Sequence, residues 1–193
     1  MPQNDASAEA PVARRAYTVA TDGACQRNPG PAGWAWVGED GEWAAGSVVK
    51  GTNNIGELLG LLRALQHHAD VAHLRIQADS KYAIDTYESW MDGHRRRGWK
   101  TSTGAPTKNR ELLELLIEAR DARKAAGLPP AVLEHVRGHA GHLLNSWADN
   151  RAVRASLRAA EGVAHEWSSR AGQDRLDVSE MPPRSAEDKP QRR

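Results

Sequence analysis

Four acidic residues, Asp22, Glu57, Asp79 and Asp149, lie in four separate segments, each at the edge of an expected secondary-structure element. Asp22 closes the run Tyr17-Thr18-Val19-Ala20-Thr21, and Asp79 closes Leu74-Arg75-Ile76-Gln77-Ala78. Glu57 and Asp149 fall on two expected helices. None has a Lys or Arg as its immediate neighbour in sequence. Carboxylates gathered without cations repel one another unless divalent ions sit between them. The chemistry that suits such a set is a hard-metal site of oxygen ligands, for Mg²⁺.

The elements that must bring these four together can be read from turns and periodicity. Strands are predicted over 16–22, 33–39 and 42–50, with Glu39-Asp40-Gly41-Glu42 as the hairpin turn between the last two, so the three form an antiparallel meander. Ile55, Leu58, Leu59, Leu62 and Leu65 recur at helical spacing over 54–68, with Glu57 off that stripe. A fourth strand, 73–78, feeds Asp79, and a short helix runs from Ser80 to Trp90. A leucine-rich helix over 108–126 stops at Gly127 with Pro129 and Pro130. A fifth strand over 131–136 and a helix over 144–160 complete the order. This pattern predicts an α/β fold: a mixed five-stranded sheet, the meander plus parallel strands, with helices on its faces. In such sheets the carboxyl ends of strands gather at the edge where ligands bind.

Composition sets outer bounds. At 193 residues the chain suits one domain with tails. Residues 1–15 read as a disordered arm and 161–193 as a disordered tail, both poor in apolar surface, leaving 16–160 as the domain. The single cysteine, Cys25, excludes an internal disulfide framework and suits a reducing compartment. With no apolar run of spanning length and no signal-like leader, the expectation is a cytoplasmic protein. The net charge of +1 conceals a basic strip, Arg95, Arg96, Arg97 and Lys100 beside His94, flanked by Trp90 and Trp99. A strip of that kind matches a nucleic-acid phosphate backbone, or simply a solvated Arg-rich surface.

Each candidate also has an ordinary structural use. Asn54 with Glu57 three residues on is a helix-start pattern in which Asn54 caps the helix. Asp22 before Gly23 suits a turn, Asp79-Ser80 suits a second helix cap, and Asp149 suits a solvated helix face. The joint occurrence of the four is what favours a site.

Thr21-Asp22-Gly23-Ala24-Cys25 with Asn28-Pro29-Gly30-Pro31, Thr52-Asn53-Asn54-x-x-Glu57-Leu58, Ala78-Asp79-Ser80, Gly138-His139-Ala140-Gly141-His142 and then Asp149 follow one another across residues 16–160. In that order they resemble the type 1 ribonuclease H family, and the Trp90–Lys100 segment resembles the substrate-binding protrusion of its bacterial ribonuclease HI group. The resemblance implies a ribonuclease H-like fold. It also implies an endonuclease that hydrolyses the RNA strand of RNA–DNA hybrids, leaving 3′-hydroxyl and 5′-phosphate ends, with roles in primer removal and R-loop resolution. Asp22, Glu57, Asp79 and Asp149 match the family's metal-binding carboxylates, which implies two Mg²⁺ ions about 4 Å apart, with Mn²⁺ as an alternative ion. His139 resembles the mobile-loop histidine, which implies a part in proton transfer or product departure.

The same resemblance divides substrate binding into two tracks. Asn28, Asn53 and Asn54 resemble minor-groove contacts on the RNA side, where amides meet base edges and 2′-hydroxyls. On the DNA side, Thr52 and Asn109 resemble a phosphate pocket, Trp90 and Trp99 offer flat surfaces for deoxyribose, and Arg95, Arg96, Arg97 and Lys100 add salt-sensitive attraction. Lys81, Ile55, Gly56 and His94 depart from what the bacterial group often carries, and Gly56 is expected to cost its helix about 1 kcal/mol relative to Ala. The partner implied is the hybrid alone, bound by a monomer, with no membrane and no obligatory protein partner. A catalytically silent hybrid-binding module is the alternative, and a related fold with strand-transfer or exonuclease chemistry a third. The tail carries no matched motif and is expected to be dispensable for catalysis.

Overall fold

The structure, a computed structural model, describes residues 16–137, 141–169 and 174–183. Strands β1 (Tyr17–Cys25), β2 (Gly30–Gly38) and β3 (Trp43–Gly51) form the expected antiparallel meander. Gly41, at φ 83°, makes the β2–β3 turn that the Asp-Gly pair predicts. Helix α1 (Asn53–His67) then crosses to β4 (Leu74–Ala78), which runs parallel to β1 with Thr21 opposite Ala78. Next come α2 (Lys81–Asp85), a π-helical turn (Thr86–Trp90) and α3 (Met91–Arg96) in unbroken succession. Helix α4 (Arg110–Ala125), strand β5 (Val132–His135) parallel to β4, and α5 (Leu143–Ala160) follow.

Among the described residues the sheet has six strands, not five. Residues Glu166–Ser168 form β6, antiparallel to β3, and the strand order is β5-β4-β1-β2-β3-β6. The extra strand comes from the segment read as a disordered tail. Its few apolar residues alternate in exposure: Leu176 and Val178 are half-buried between exposed neighbours and pack against Trp147 and Ala148. That is enough apolar surface for one covered face, which average composition had hidden. The N-terminal arm, residues 1–15, lies outside the described residues.

Alternation along the strands gives each sheet face its own core. Val19, Trp34 and Trp36 pack with Leu58, Leu61, Leu62 and Leu65 of α1 and with Leu113 and Leu116 of α4. On the opposite face Ala20, Ala35, Val37 and Ala45 meet Trp147, Ala148, Ala152 and Ala155 of α5. Small residues predominate on the α5 side, so that helix lies close to the sheet.

The helices come closest to the sheet at two of its glycines. A Cβ on Gly23 of β1 would stand 2.2 Å from the Glu57 backbone nitrogen, and one on Gly33 of β2 would stand 2.2 Å from the Ala152 carbonyl oxygen. Gly56, read from sequence as a weakness in α1, is the partner surface of the first contact, with a Cβ placed only 2.6 Å from the Gly33 carbonyl oxygen. Helix propensity alone makes Gly56→Ala stabilising; the packing reverses the sign. We expect Gly56→Ala to lose about 1–3 kcal/mol through overpacking, read as a lower denaturant midpoint at unchanged slope.

Candidate active site

Parallel pairing of β1 with β4 sets the first two carboxylates side by side. Thr21 and Ala78 are register partners, so the residues that follow them, Asp22 and Asp79, emerge together at the same level of the sheet. Asp22 does not end its strand, as the apolar run suggested. β1 continues to Cys25 because Asp22–Cys25 keep pairing with Ala35–Ala32 of β2. The Gly23 contact draws the start of α1 onto β1 and delivers Glu57. Glu57, off the leucine stripe in sequence, is 5% exposed, as is Asp22, while Asp79 is half-buried.

One carboxylate oxygen from each of Asp22, Glu57 and Asp79 lies within 4.8 Å of the other two. Asp149 of α5 is half-buried and stands outside that trio, yet its charge bears on both Asp22 and Glu57. Burial above all, and then the charges of Glu57, Asp79 and Asp149, push the Asp22 pKa well above the usual carboxylate range, against one hydrogen bond donated by the Gly23 amide at 2.7 Å. Burial followed by the charge of Asp79 pushes Glu57 up to about 8, although the Asn53 side chain donates a hydrogen bond to its Oε1 at 3.3 Å. Glu57 Oε2 is buried without a hydrogen-bond partner. Converging, desolvated carboxylate oxygens with an unpartnered lone pair fit a hard divalent cation, which takes oxygen ligands.

Local capping accounts for the neighbours. Thr52, not Asn54, caps α1, its Oγ1 accepting from the Ile55 amide at 3.2 Å; Asn54 is exposed within the first turn. Thr52 takes the post because it is the last residue in extended conformation, at φ −136°. Ser80 caps α2 in the same way and leaves the Asp79 carboxylate unspent on capping.

Comparison with known proteins now bears on this geometry. The ribonuclease H family model matches residues 14–157. The chain belongs to the type 1 ribonuclease H family. It is 39% identical over 151 residues to ribonuclease HI of Streptomyces coelicolor, covering 75% of this chain but 63% of that protein, less than two thirds of its length. To ribonuclease H of Rhizobium etli it is 40% identical over 149 residues, covering 76% of this chain and 95% of that one. Among solved structures it is similar to LC9-RNase H1, a type 1 ribonuclease H with the type 2 active-site motif, at 26% identity and TM-score 0.57 over 79% of each chain.

Asn28 lies against the site: its Oδ1 accepts from the Asn53 backbone amide at 3.4 Å, and the Asn53 side chain in turn reaches Glu57. Sequence reading gave Asn53 a substrate contact only, and the i, i+4 spacing to Glu57 was the available clue to its second use. The basic strip occupies α3 and the loop after it. Asp92 anchors α3 to α4 through two bonds from Arg120, at 2.7 and 2.8 Å, and Arg95 pairs with Asp121 at 3.6 Å. Trp90 is 45% exposed and, with His94, Arg96, Arg97, Thr101 and Ser102, lines an open groove of about 460 Å³. Trp99 is half-buried against the main core, with the Arg110 guanidinium 5.4 Å over its ring, while Lys100 is exposed. Asn109 sits at φ 56° ahead of α4 and makes no side-chain cap bond. His139 lies outside the described residues.

A carboxyl group with a raised folded-state pKa holds its proton more tightly folded than unfolded, so stability is full below its ordinary pKa and falls as pH rises through the folded one. For Glu57 that window runs from 4.5 to about 8. Metal-free protein is therefore expected to lose a few kcal/mol across it, and saturating Mg²⁺ to restore them. Asp22→Asn should raise the metal-free melting temperature at pH 8 and blunt the Mg²⁺ response, both measurable by calorimetry.

Proposed function

We propose that this protein is an endonuclease that hydrolyses the RNA strand of RNA–DNA hybrids, with two Mg²⁺ ions held by Asp22, Glu57, Asp79 and Asp149. The observation that carries the reading is the convergence of Asp22, Glu57 and Asp79 within 4.8 Å, the first two buried and the third half-buried, where β1, β4 and α1 meet in a ribonuclease H fold. When bound, such ions activate water and stabilise charge on the leaving oxygen of an in-line displacement. Water adds to phosphorus as the bond to the 3′ oxygen breaks, leaving a 3′-hydroxyl and a 5′-phosphate. Mn²⁺, with the same preference for oxygen ligands, can take the place of Mg²⁺.

The chain's own residues divide the remaining work. Asn28, Asn53 and Asn54 face the RNA strand, whose 2′-hydroxyls distinguish it from DNA. The Asn53 amide also holds the Glu57 carboxylate, so it positions a metal-binding group. Thr52 still has its hydroxyl hydrogen to donate, since its capping bond uses a lone pair. With the uncommitted Asn109 amide it would hold a DNA phosphate. Trp90, Trp99, Arg95, Arg96, Arg97 and Lys100 bind the DNA backbone, and His139 moves a proton or assists product departure. No helix among the described residues is long and apolar enough to cross a membrane. Primer removal and R-loop resolution are the cellular uses of such an activity.

The deciding assay uses an end-labelled hybrid beside single-stranded RNA, duplex RNA and duplex DNA. Internal RNA cuts confined to the hybrid, lost with chelator and in Asp22→Asn and Asp79→Asn, are expected; tight binding without cutting would instead make the protein a hybrid-binding module. Asn53→Ala should lower Mg²⁺ affinity or kcat by roughly 10–100-fold. Neutralising Arg96 and Lys100 should weaken hybrid binding and reduce its salt dependence.

A further inference from the structure

Asp149 is the carboxylate whose position depends on α5, and α5 is gripped from outside the sheet by the segment after it. Trp147 Nε1 donates to the Glu180 carbonyl at 2.9 Å, and Asn150 Nδ2 to the Pro183 carbonyl at 3.4 Å, so the two bonds bracket Asp149 in sequence. Leu176 and Val178 pack on Trp147 and Ala148, and the Leu176 amide donates to the Gly41 carbonyl at 2.9 Å. Gly41 fits so closely under the segment that a Cβ there would stand 2.2 Å from the Leu176 carbonyl oxygen. Arg175 pairs with Asp40 at 3.1 Å. Trp43 ties the layers together: its indole N–H donates to the Asp174 carbonyl, its backbone pairs with Ser169, and the Arg151 guanidinium of α5 lies 4.1 Å over its ring.

We infer that residues 163–169 and 174–183 are a strap that positions α5, and through it Asp149, for divalent-ion binding. Leu176, Val178 and Trp147 are positioning residues, and the tail is required for full catalysis, in place of the dispensability its lack of motifs suggested. The mechanism is mechanical. Asp22, Glu57 and Asp79 converge without help from α5, whereas Asp149 must be carried toward them by a helix whose sheet-facing contacts are mostly alanine and glycine. Such contacts allow close approach and offer little resistance to sliding. Backbone carbonyls of the strap on Trp147 and Asn150 resist it.

This inference rests on the metal-site reading, and the experiment separates the two. In the intact chain, coupling between strap and site is reciprocal: if the strap favours ion binding, ion binding must favour the docked strap. Hydrogen exchange with and without Mg²⁺ should show slower exchange at the Leu176 and Ser169 amides, with amides of the exposed loop from Thr101 to Ala105 unchanged. Leu176→Ser with Val178→Ser should lower Mg²⁺ affinity, measured by calorimetry without hybrid, and kcat by about 10-fold or more, with KM for hybrid unaltered. Leu176→Met with Val178→Ile should restore both. A folded double-serine variant with wild-type Mg²⁺ affinity and kcat would overturn the inference, as would strap amides indifferent to Mg²⁺, a result that needs no variant to fold. Wild-type protein that binds Mg²⁺ and protects the strap but leaves hybrid uncut would remove the nuclease reading and leave the strap standing.

Discussion

The structure turns on one steric contact, the seating of Gly23 of β1 against the backbone at Gly56 and Glu57 of α1. Any side chain at Gly23 would have to occupy the place of the Glu57 nitrogen. Because none is there, the helix start lies directly on the strand, and the carboxylate of its second turn arrives beside that of Asp22. Gly33 does the same for α5 on the other face, one strand over, since Gly23 pairs with Trp34 and Gly33 with Ala24. Two helices thus pinch the centre of the sheet at adjacent positions. The leucine and tryptophan core supplies the attraction that closes the pinch.

That packing works against electrostatics. Burial and like charge raise Asp22 and Glu57 well above ordinary carboxylates, and Glu57 keeps one oxygen buried without a partner. Among the described residues, hydrogen bonds from the Gly23 amide and the Asn53 side chain work the other way. A fold under selection for stability alone would place something else there, and perturbed groups of this kind concentrate at functional sites. The carboxylates therefore repel one another as they stand, and a divalent cation among their oxygens would offset that repulsion. Hydrophobic packing holds them together against it.

The outer edge of the sheet meets a different requirement. Strand β3 would present unpaired backbone groups along its length, a surface open to wrong pairing. Instead β6 and its flanks cover the first half of it, from Trp43 to Ser47, and Ser47 both donates through its hydroxyl to the Val163 carbonyl and accepts from the His165 amide. From there the chain continues over Trp43 and Trp147. Edge protection and the grip on α5 are two consequences of one path.

Much was legible in the sequence because it depended on local rules. Strand and helix order, the Asp-Gly hairpin, the Gly127 stop and the leucine faces follow from backbone preferences and two periodicities, and each lies near its expected place. The family was legible from ordered motifs of a few residues each, and those motifs held the three carboxylates that converge, Asp22, Glu57 and Asp79. What could not be read was contact between segments far apart in the chain. Gly56 looked like a weakness because propensity describes one helix in isolation; the surface it fits belongs to β1 and β2. The helix cap fell to Thr52 because capping depends on where extended backbone ends. Residues past 161 looked disordered because composition averages over a segment, whereas docking needs only Trp167, Leu176 and Val178 on one side. The sequence by itself determined which groups are present and the local geometry of each. Only the tertiary structure decided which are neighbours, because burial, repulsion and steric fit are properties of pairs that the chain brings together by folding.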